Sequence, residues 1–166
     1  MSFKEISPYE IANNAFSLIS KDWMLITAGD KQNHNTMTAS WGSIGFLWNK
    51  PIATIYVRPQ RYTFEFLEQN DTFTLSFFDE EYRDALKLCG AKSGREINKD
   101  KETGLVPLET DGATYYEQAR LVLVCKKLYF QDITPDNFID DTIDSNYANK
   151  DYHRAYIGQI VKVLAK

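Results

Sequence analysis

Residues Asn35 to Phe78 constrain this chain more than any other stretch. They open N-T-M-T-A-S-W-G and, after two short connections, continue I-A-T-I-Y-V-R-P-Q-R-Y-T-F-E-F-L-E-Q-N-D-T-F-T-L-S-F-F. Two runs of β-favouring residues finish in small hydroxyls and arginines, and a helix start follows directly. Anion-binding groups are therefore gathered at strand ends, where a phosphate-bearing ligand is readily held. A fold that serves this stretch has to bring strand termini and a helix N-terminus to one place.

Periodicity and turn residues extend the reading along the chain. Ser7-Pro8-Tyr9-Glu10 has capping-box spacing with proline at the first helical position, which predicts a helix from Pro8 to about Phe16. Strands are expected at Trp23 to Ala28, Asn35 to Gly42, Ile52 to Arg58, Thr72 to Phe78, Ala119 to Ile133 and Ala155 to Leu164. Lys31 to His34 reads as a polar loop, Ser43 to Trp48 as a short glycine-containing connection, and Asn49-Lys50-Pro51 as a turn. Arg61 to Gln69 and Glu80 to Leu88 carry apolar residues at helical spacing, with Asn70 and Gly90 at their ends. Lys92 to Gly104 is a charged surface loop with room for a helical turn. Val106 to Glu109 and Thr114 to Glu117 form a hairpin around Asp111-Gly112, and Pro135 to Ile139 a single helical turn capped by Thr134. The sum is about seven strands, mostly antiparallel, and three or four short helices. The expected fold class is mainly β with short helices, most economically a small β-barrel with helices at its ends.

At 166 residues the chain is one domain's worth, able to bury roughly 70% of the surface its unfolded form exposes. The 14% aromatic content is the unusual number, and it suits a β-rich protein that binds something flat or covers a partner. A net charge of -4 argues against a nucleic-acid surface, which requires clustered Lys and Arg. No apolar run reaches the length of a membrane span, and M-S-F-K-E-I-S-P lacks the hydrophobic segment of a signal peptide, so a cytoplasmic location is expected. Cys89 and Cys125 match no zinc or CxxC spacing and read as packing. The acidic run Asp136 to Asp144 reads as a solvated segment rather than a metal site.

Several residues have two readings. Arg61-Tyr62-Thr63, opening a helix just after Arg58-Pro59, supplies a cation, a hydroxyl and backbone N–H groups for a phosphate. Alternatively, Arg61 pairs with Glu65 along the helix and Thr63 only caps it. Thr36, Thr38 and Ser40 alternate with Met37, Ala39 and Trp41, so one strand face carries hydroxyls that either a ligand or solvent covers. Asn35 and Trp41 bracket that strand and suit the edge and the face of a heterocycle, or else a turn and a core. His153, between Tyr152 and Arg154, is by itself a surface or interface histidine; His34 reads as an exposed loop residue.

N-T-M-T-A-S-W, V-R-P-Q-R-Y-T, T-F-T-L-S-F-F, the G-A-K-S-G-R turn and the late D-Y-H follow one another in an order that resembles the flavin reductase-like, FMN-binding split-barrel family, on its flavoredoxin-like side. The resemblance spans nearly the whole chain. It implies a single domain over residues 1–166, a split β-barrel with non-covalently bound FMN, and a homodimer with the flavin near the subunit interface. By motif, Asn35, Met37, Thr38, Ala39, Ser40 and Trp41 would line the isoalloxazine and ribityl chain. Arg58, Arg61 and Thr63 would lie near the phosphate, Lys92 and Ser93 would close over the flavin or phosphate, and His153 would reach the flavin. The implied activity passes electrons from a reduced nicotinamide or a protein donor to a flavin, metal or protein acceptor. No catalytic side chain is required, since the flavin carries the redox chemistry. The sequence holds no G-x-G-x-x-G nicotinamide fingerprint. A flavin carrier or sensor without turnover, a pyridoxamine-phosphate-oxidase-like enzyme and a plain β-barrel interaction domain remain as other readings.

Overall fold

The computed structural model describes residues 2–166. In chain order the strands are β1 (Lys4–Ile6), β2 (Met24–Gly29), β3 (His34–Ala39), β4 (Gly42–Leu47), β5 (Lys50–Val57), β6 (Thr72–Phe77), β7 (Pro107–Thr110), β8 (Ala113–Tyr116), β9 (Leu121–Asp132) and β10 (Arg154–Ala165). The α-helices are α1 (Ala15–Ser17), α2 (Tyr62–Gln69), α3 (Arg83–Ala91) and α4 (Lys99–Thr103). Eight strands form one antiparallel sheet in the order β3-β2-β6-β9-β10-β5-β4, with β1 also on β10; β7 and β8 form a separate hairpin. The sheet curls without closing. Its two free ends are β3 and β4, and the chain crosses between them through Ser40 and Trp41. This is a split barrel, as expected.

Strand alternation sorts the apolar residues into two layers. Met24, Ile26, Met37, Ile55, Phe73 and Tyr156 point into the barrel. Leu25, Leu86, Cys89, Tyr116 and Val122 form a second layer, beneath α3 and the β7-β8 hairpin. Each fully buried side chain of this size contributes about 1.5–3 kcal/mol. β9 and β10 run twelve residues each with register shifts at Ile157/Gly158 and Ile160/Lys162. At Gly158 an added Cβ would lie 2.8 Å from the buried Phe73 ring, so the ring takes the space that a side chain would need.

The departures from expectation have local causes. The Ser7/Glu10 capping box is present, but the turn it starts spans only Pro8–Glu10. Ile11 is already extended, and the Asn14 side chain accepts from the Phe16 and Ser17 N–H groups to start α1 afresh. Ser43 to Trp48, expected as a connection, is mostly the edge strand β4, and the turn lies at Trp48-Asn49, both with positive φ. Gly90 lies inside α3 rather than after it, and His34 belongs to β3. The helical turn expected at Pro135 is present as Pro135–Asn137, without a side-chain cap from Thr134. No helix among the described residues is long and apolar enough to cross a membrane.

Candidate functional site

The residues that the motifs singled out gather beside the open β3 edge of the seam, between β3, the Ser40-Trp41 crossing and the ends of β5, α2 and α3. A cleft of about 270 Å3 is lined by Met37, Thr38, Ala39, Ser40 and Trp41 from β3 and the crossing, and by Arg58, Arg61 and His153. A second, of about 230 Å3, is lined by Asn35, Thr63, Lys92 and Ser93 and shares Met37 and Arg61 with the first. These two adjoining clefts, the halves of one candidate site, are together lined by all twelve candidates.

Its second half is cationic. Arg61 stands at the N-cap of α2, where no side chain caps the helix, so first-turn N–H groups are left for a ligand. Its Nη1 donates to the Gly90 carbonyl at 3.0 Å, and among the described residues no carboxylate lies within ion-pair distance of it. The alternative partner, Glu65, is taken instead by Arg95, whose guanidinium also stacks 4.6 Å over the Tyr62 ring and so fastens the Lys92-Ser93 loop to α2. Burial, with the nearby Arg58 charge, holds the Arg61 pKa below that of a free guanidinium. Arg58 differs: it is neutralised by Asp151 at 2.8 Å and lies 4.9 Å over the Tyr147 ring. Asn35 is buried and donates to Thr63 Oγ1 at 2.7 Å, which ties β3 to α2.

The first half is aromatic. His153 is only 7% exposed, not the surface residue that its neighbours suggested. Its ring lies 5.3 Å from that of Trp41, and its Nδ1 is 2.8 Å from Tyr147 Oη, leaving Nε2 for other partners. Burial and then the Arg58 charge push its pKa down to about 4, against a weaker opposing pull from Asp151, so the ring is neutral near pH 7. Beyond it lies an apolar cleft of about 610 Å3 walled by Phe16, Ile19, Ile44, Tyr56 and Ile133, with no Lys, Arg, Asp or Glu in its lining. The two spaces meet at Ser40, Trp41, Tyr56 and His153.

The hydroxyl face of β3 proves different from expectation. Thr36 bonds Thr27 Oγ1 at 2.9 Å and Thr38 donates to the Leu86 carbonyl at 2.5 Å, so protein covers these two hydroxyls. Thr38 still lines the cleft, and Ser40 Oγ makes no hydrogen bond among the described residues. Reasoning from sequence also passed over three residues. Gly94 touches Asn35 so closely that an added Cβ would fall 1.9 Å from Asn35 Oδ1. Tyr147 holds His153, from a segment that reads as polar. Lys99 is 7% exposed, and its ammonium donates to the Thr36 and Cys89 carbonyls at 2.6 and 2.8 Å. The buried glycine contact was traceable in the K-S-G-R turn; no local signal marks Lys99. His34, expected in a loop, instead contacts Asp100 at 3.0 Å. Burial lowers its pKa, but Asp100 together with the backbone groups at Asp30 and Lys31 outweighs burial, and the net shift is upward. The Cys89 thiol is buried and pushed up to about 11, and Cys125 is pushed up as well, so neither is a thiolate near pH 7.

Solved structures share this fold. The chain is similar to the FMN-binding domain of a flavin reductases-like enzyme from Shewanella baltica OS155 (18% identity over 98% of this chain and 76% of that one, TM-score 0.68). It is also similar to the flavoredoxin of Desulfovibrio vulgaris (Miyazaki F) (19%, 97% and 77%, TM-score 0.69). A third is the NADH:FAD oxidoreductase of Streptomyces globisporus C-1027 in complex with NAD and FAD fragments (15%, 86% and 73%, TM-score 0.63). At these identities the likeness is one of fold. No curated protein sequence matches the chain. The model of the flavin reductase like domain matches residues 16–164, nearly the whole length, and the chain therefore belongs to that family.

Proposed function

We propose that this protein binds FMN at the seam and acts as a reductase or flavoredoxin-type electron carrier. The observation that carries the reading is Arg61: a half-buried guanidinium with no carboxylate partner among the described residues, facing a cleft whose other half is aromatic. A burial of that kind is unfavourable unless an anion completes it. A phosphorylated planar ring matches both halves. The names of relatives that bind FMN or are flavoredoxins support the choice of FMN. When bound, FMN would supply the hydride and electron chemistry. The chain's own work is then to hold the phosphate with Arg61, Thr63 and the Lys92-Ser93 loop. Met37 to Trp41 and a neutral His153 would hold the ring.

Protein as isolated, or after incubation with FMN, is expected to be yellow, with a spectrum bleached by dithionite and restored by air. A colourless protein that takes up no added FMN overturns the reading. The apolar cleft beside His153 favours a second reading within it. With no cation in its lining, it offers nothing to the phosphates of a nicotinamide dinucleotide, which suits a carrier served by a protein or an uncharged donor. Oxidation rates of NADH and NADPH with FMN-loaded protein separate the two. A homodimer is part of the proposal: Phe46 on β4 and Trp48 in the turn after it are exposed, and so is Tyr129, whose ring lies 6.1 Å from that of Trp48. Sedimentation at low micromolar concentration checks it.

A further inference from the structure

We propose that Lys99 is a second cation of the phosphate site, working with Arg61, and that flavin binding at this site is therefore coupled to a proton. The inference rests on the FMN reading above and goes beyond it in naming the residue and the linkage.

Lys99 opens α4, is buried, and lines the 230 Å3 cleft that Arg61, Thr63, Lys92 and Ser93 also line. Its ammonium has three N–H donors. The carbonyls of Thr36 and Cys89 take two, and no carboxylate pairs with it among the described residues. One donor is therefore left for the cleft. The charged and titratable groups around it are Cys89 on α3, Arg61 ahead of α2, His34 on β3, Tyr116 on β8, the Lys92, Arg95 and Glu96 side chains of the loop, and Asp100 on its own helix. Asp100 is engaged by His34 and Tyr116, Arg95 by Glu65, and Glu96 is exposed. Half-buried Arg61 and buried Lys99 thus line one space whose one acidic residue, the exposed Glu96, pairs with neither of them among the described residues. Burial is the main cause that pushes the Lys99 pKa down to about 8; Cys89 opposes it, and the Arg61 charge adds a smaller downward push.

A phosphate monoester is already a dianion above about pH 6.5. Its arrival raises the Lys99 pKa over the free value, so affinity is complete below about 8 and is lost as pH climbs past it. Cys89 lies too high to titrate in that window. A lysine that merely staples Thr36 to Cys89 would show neither a preference for phosphate nor this pH dependence.

The test measures affinity for FMN and for riboflavin, from about pH 6.5 to 9.5, in the wild-type protein, K99M and K99R. Wild-type affinity for FMN is expected to hold to about pH 8 and then fall by up to about tenfold per pH unit, while riboflavin stays level. K99M is expected to weaken FMN about tenfold or more at pH 7, with riboflavin unchanged and the pH fall gone; K99R is expected to restore most of the FMN affinity. Wild-type profiles for FMN and riboflavin that run parallel overturn the inference, as does a K99M loss equal for both flavins. If K99M does not fold, the wild-type profile together with proton uptake on FMN binding at about pH 8.5 decides alone. Riboflavin binding with no gain from the phosphate sinks the Lys99 role; failure of the wild-type protein to bind either flavin sinks the FMN reading itself, and the inference with it.

Discussion

The two ends of the seam make opposite use of the same scarce resource, a buried charge. On the α2 side, Arg61 and Lys99 face a cleft without a carboxylate partner among the described residues. On the far side, Arg58 is matched by Asp151, His153 is neutral, and the 610 Å3 cleft beyond has no Lys, Arg, Asp or Glu in its wall. One end is short of an anion, while the other has been cleared of charge. Under the proposed reading, a bound FMN would place its phosphate at α2 and its ring toward Trp41 and His153, leaving the apolar side to its redox partner.

The sharpest way to break this contrast is Arg61→Ala. It removes a charge-assisted contact worth about 1.5–3 kcal/mol, so FMN affinity is expected to drop roughly 10- to 100-fold while riboflavin affinity holds. Equal losses in a flavin titration would make Arg61 structural and erase the asymmetry. Next comes Gly94→Ala, which drives a methyl into Asn35 and is expected to cost about 1–3 kcal/mol of stability in chemical denaturation, with both flavins weakened together. An unchanged midpoint would mean that the loop moves freely and does not fix that wall. On the neutral side, Tyr147→Phe deletes only the hydroxyl at His153 Nδ1, and about 0.5–1.5 kcal/mol is expected. FMN and riboflavin should suffer alike, because the phosphate lies elsewhere.

The smallest effect separates the two histidines. The folded pKa of His34 is raised, so its contribution is fully present below the unfolded value near 6.5 and fades as pH rises through the folded one. The folded pKa of His153 is depressed to about 4, so the reverse holds: it disfavours the native state once pH falls below 6.5 and is silent above it. Melting temperatures of H34Q and the parent protein should therefore differ more at about pH 6 than at about pH 8.5. A constant difference would place the His34–Asp100 contact outside the titration.

Much of this was legible in the sequence where local chemistry decides. Asp111-Gly112 made its hairpin because both residues take the positive φ that such a turn demands. Arg61 to Gln69 stood out because the proline before it and the apolar spacing within it point to the same start. Edge strand β4 was hidden because its Phe46 and Leu47 are exposed and its turn uses Trp48 in a left-handed conformation that no rule assigns to tryptophan. Lys99 was hidden for a deeper reason. In K-S-G-R-E-I-N-K-D-K it looks like one more solvated charge, and only the meeting of β3, α3 and α4 puts it underground. The site motifs located the seam, but spacing could not reveal that Thr36 and Thr38 would spend their hydroxyls on the protein.

The unclosed edge between β3 and β4 carries one more consequence. Two strands that fail to meet leave a row of amides with no ladder partner, held together by little beyond the Ser40-Trp41 tether. A ligand in the adjoining clefts would brace the β3 side of that gap, so hydrogen–deuterium exchange at 35–41 should slow on loading far more than in β9 and β10, whose backbones are already zipped on both flanks.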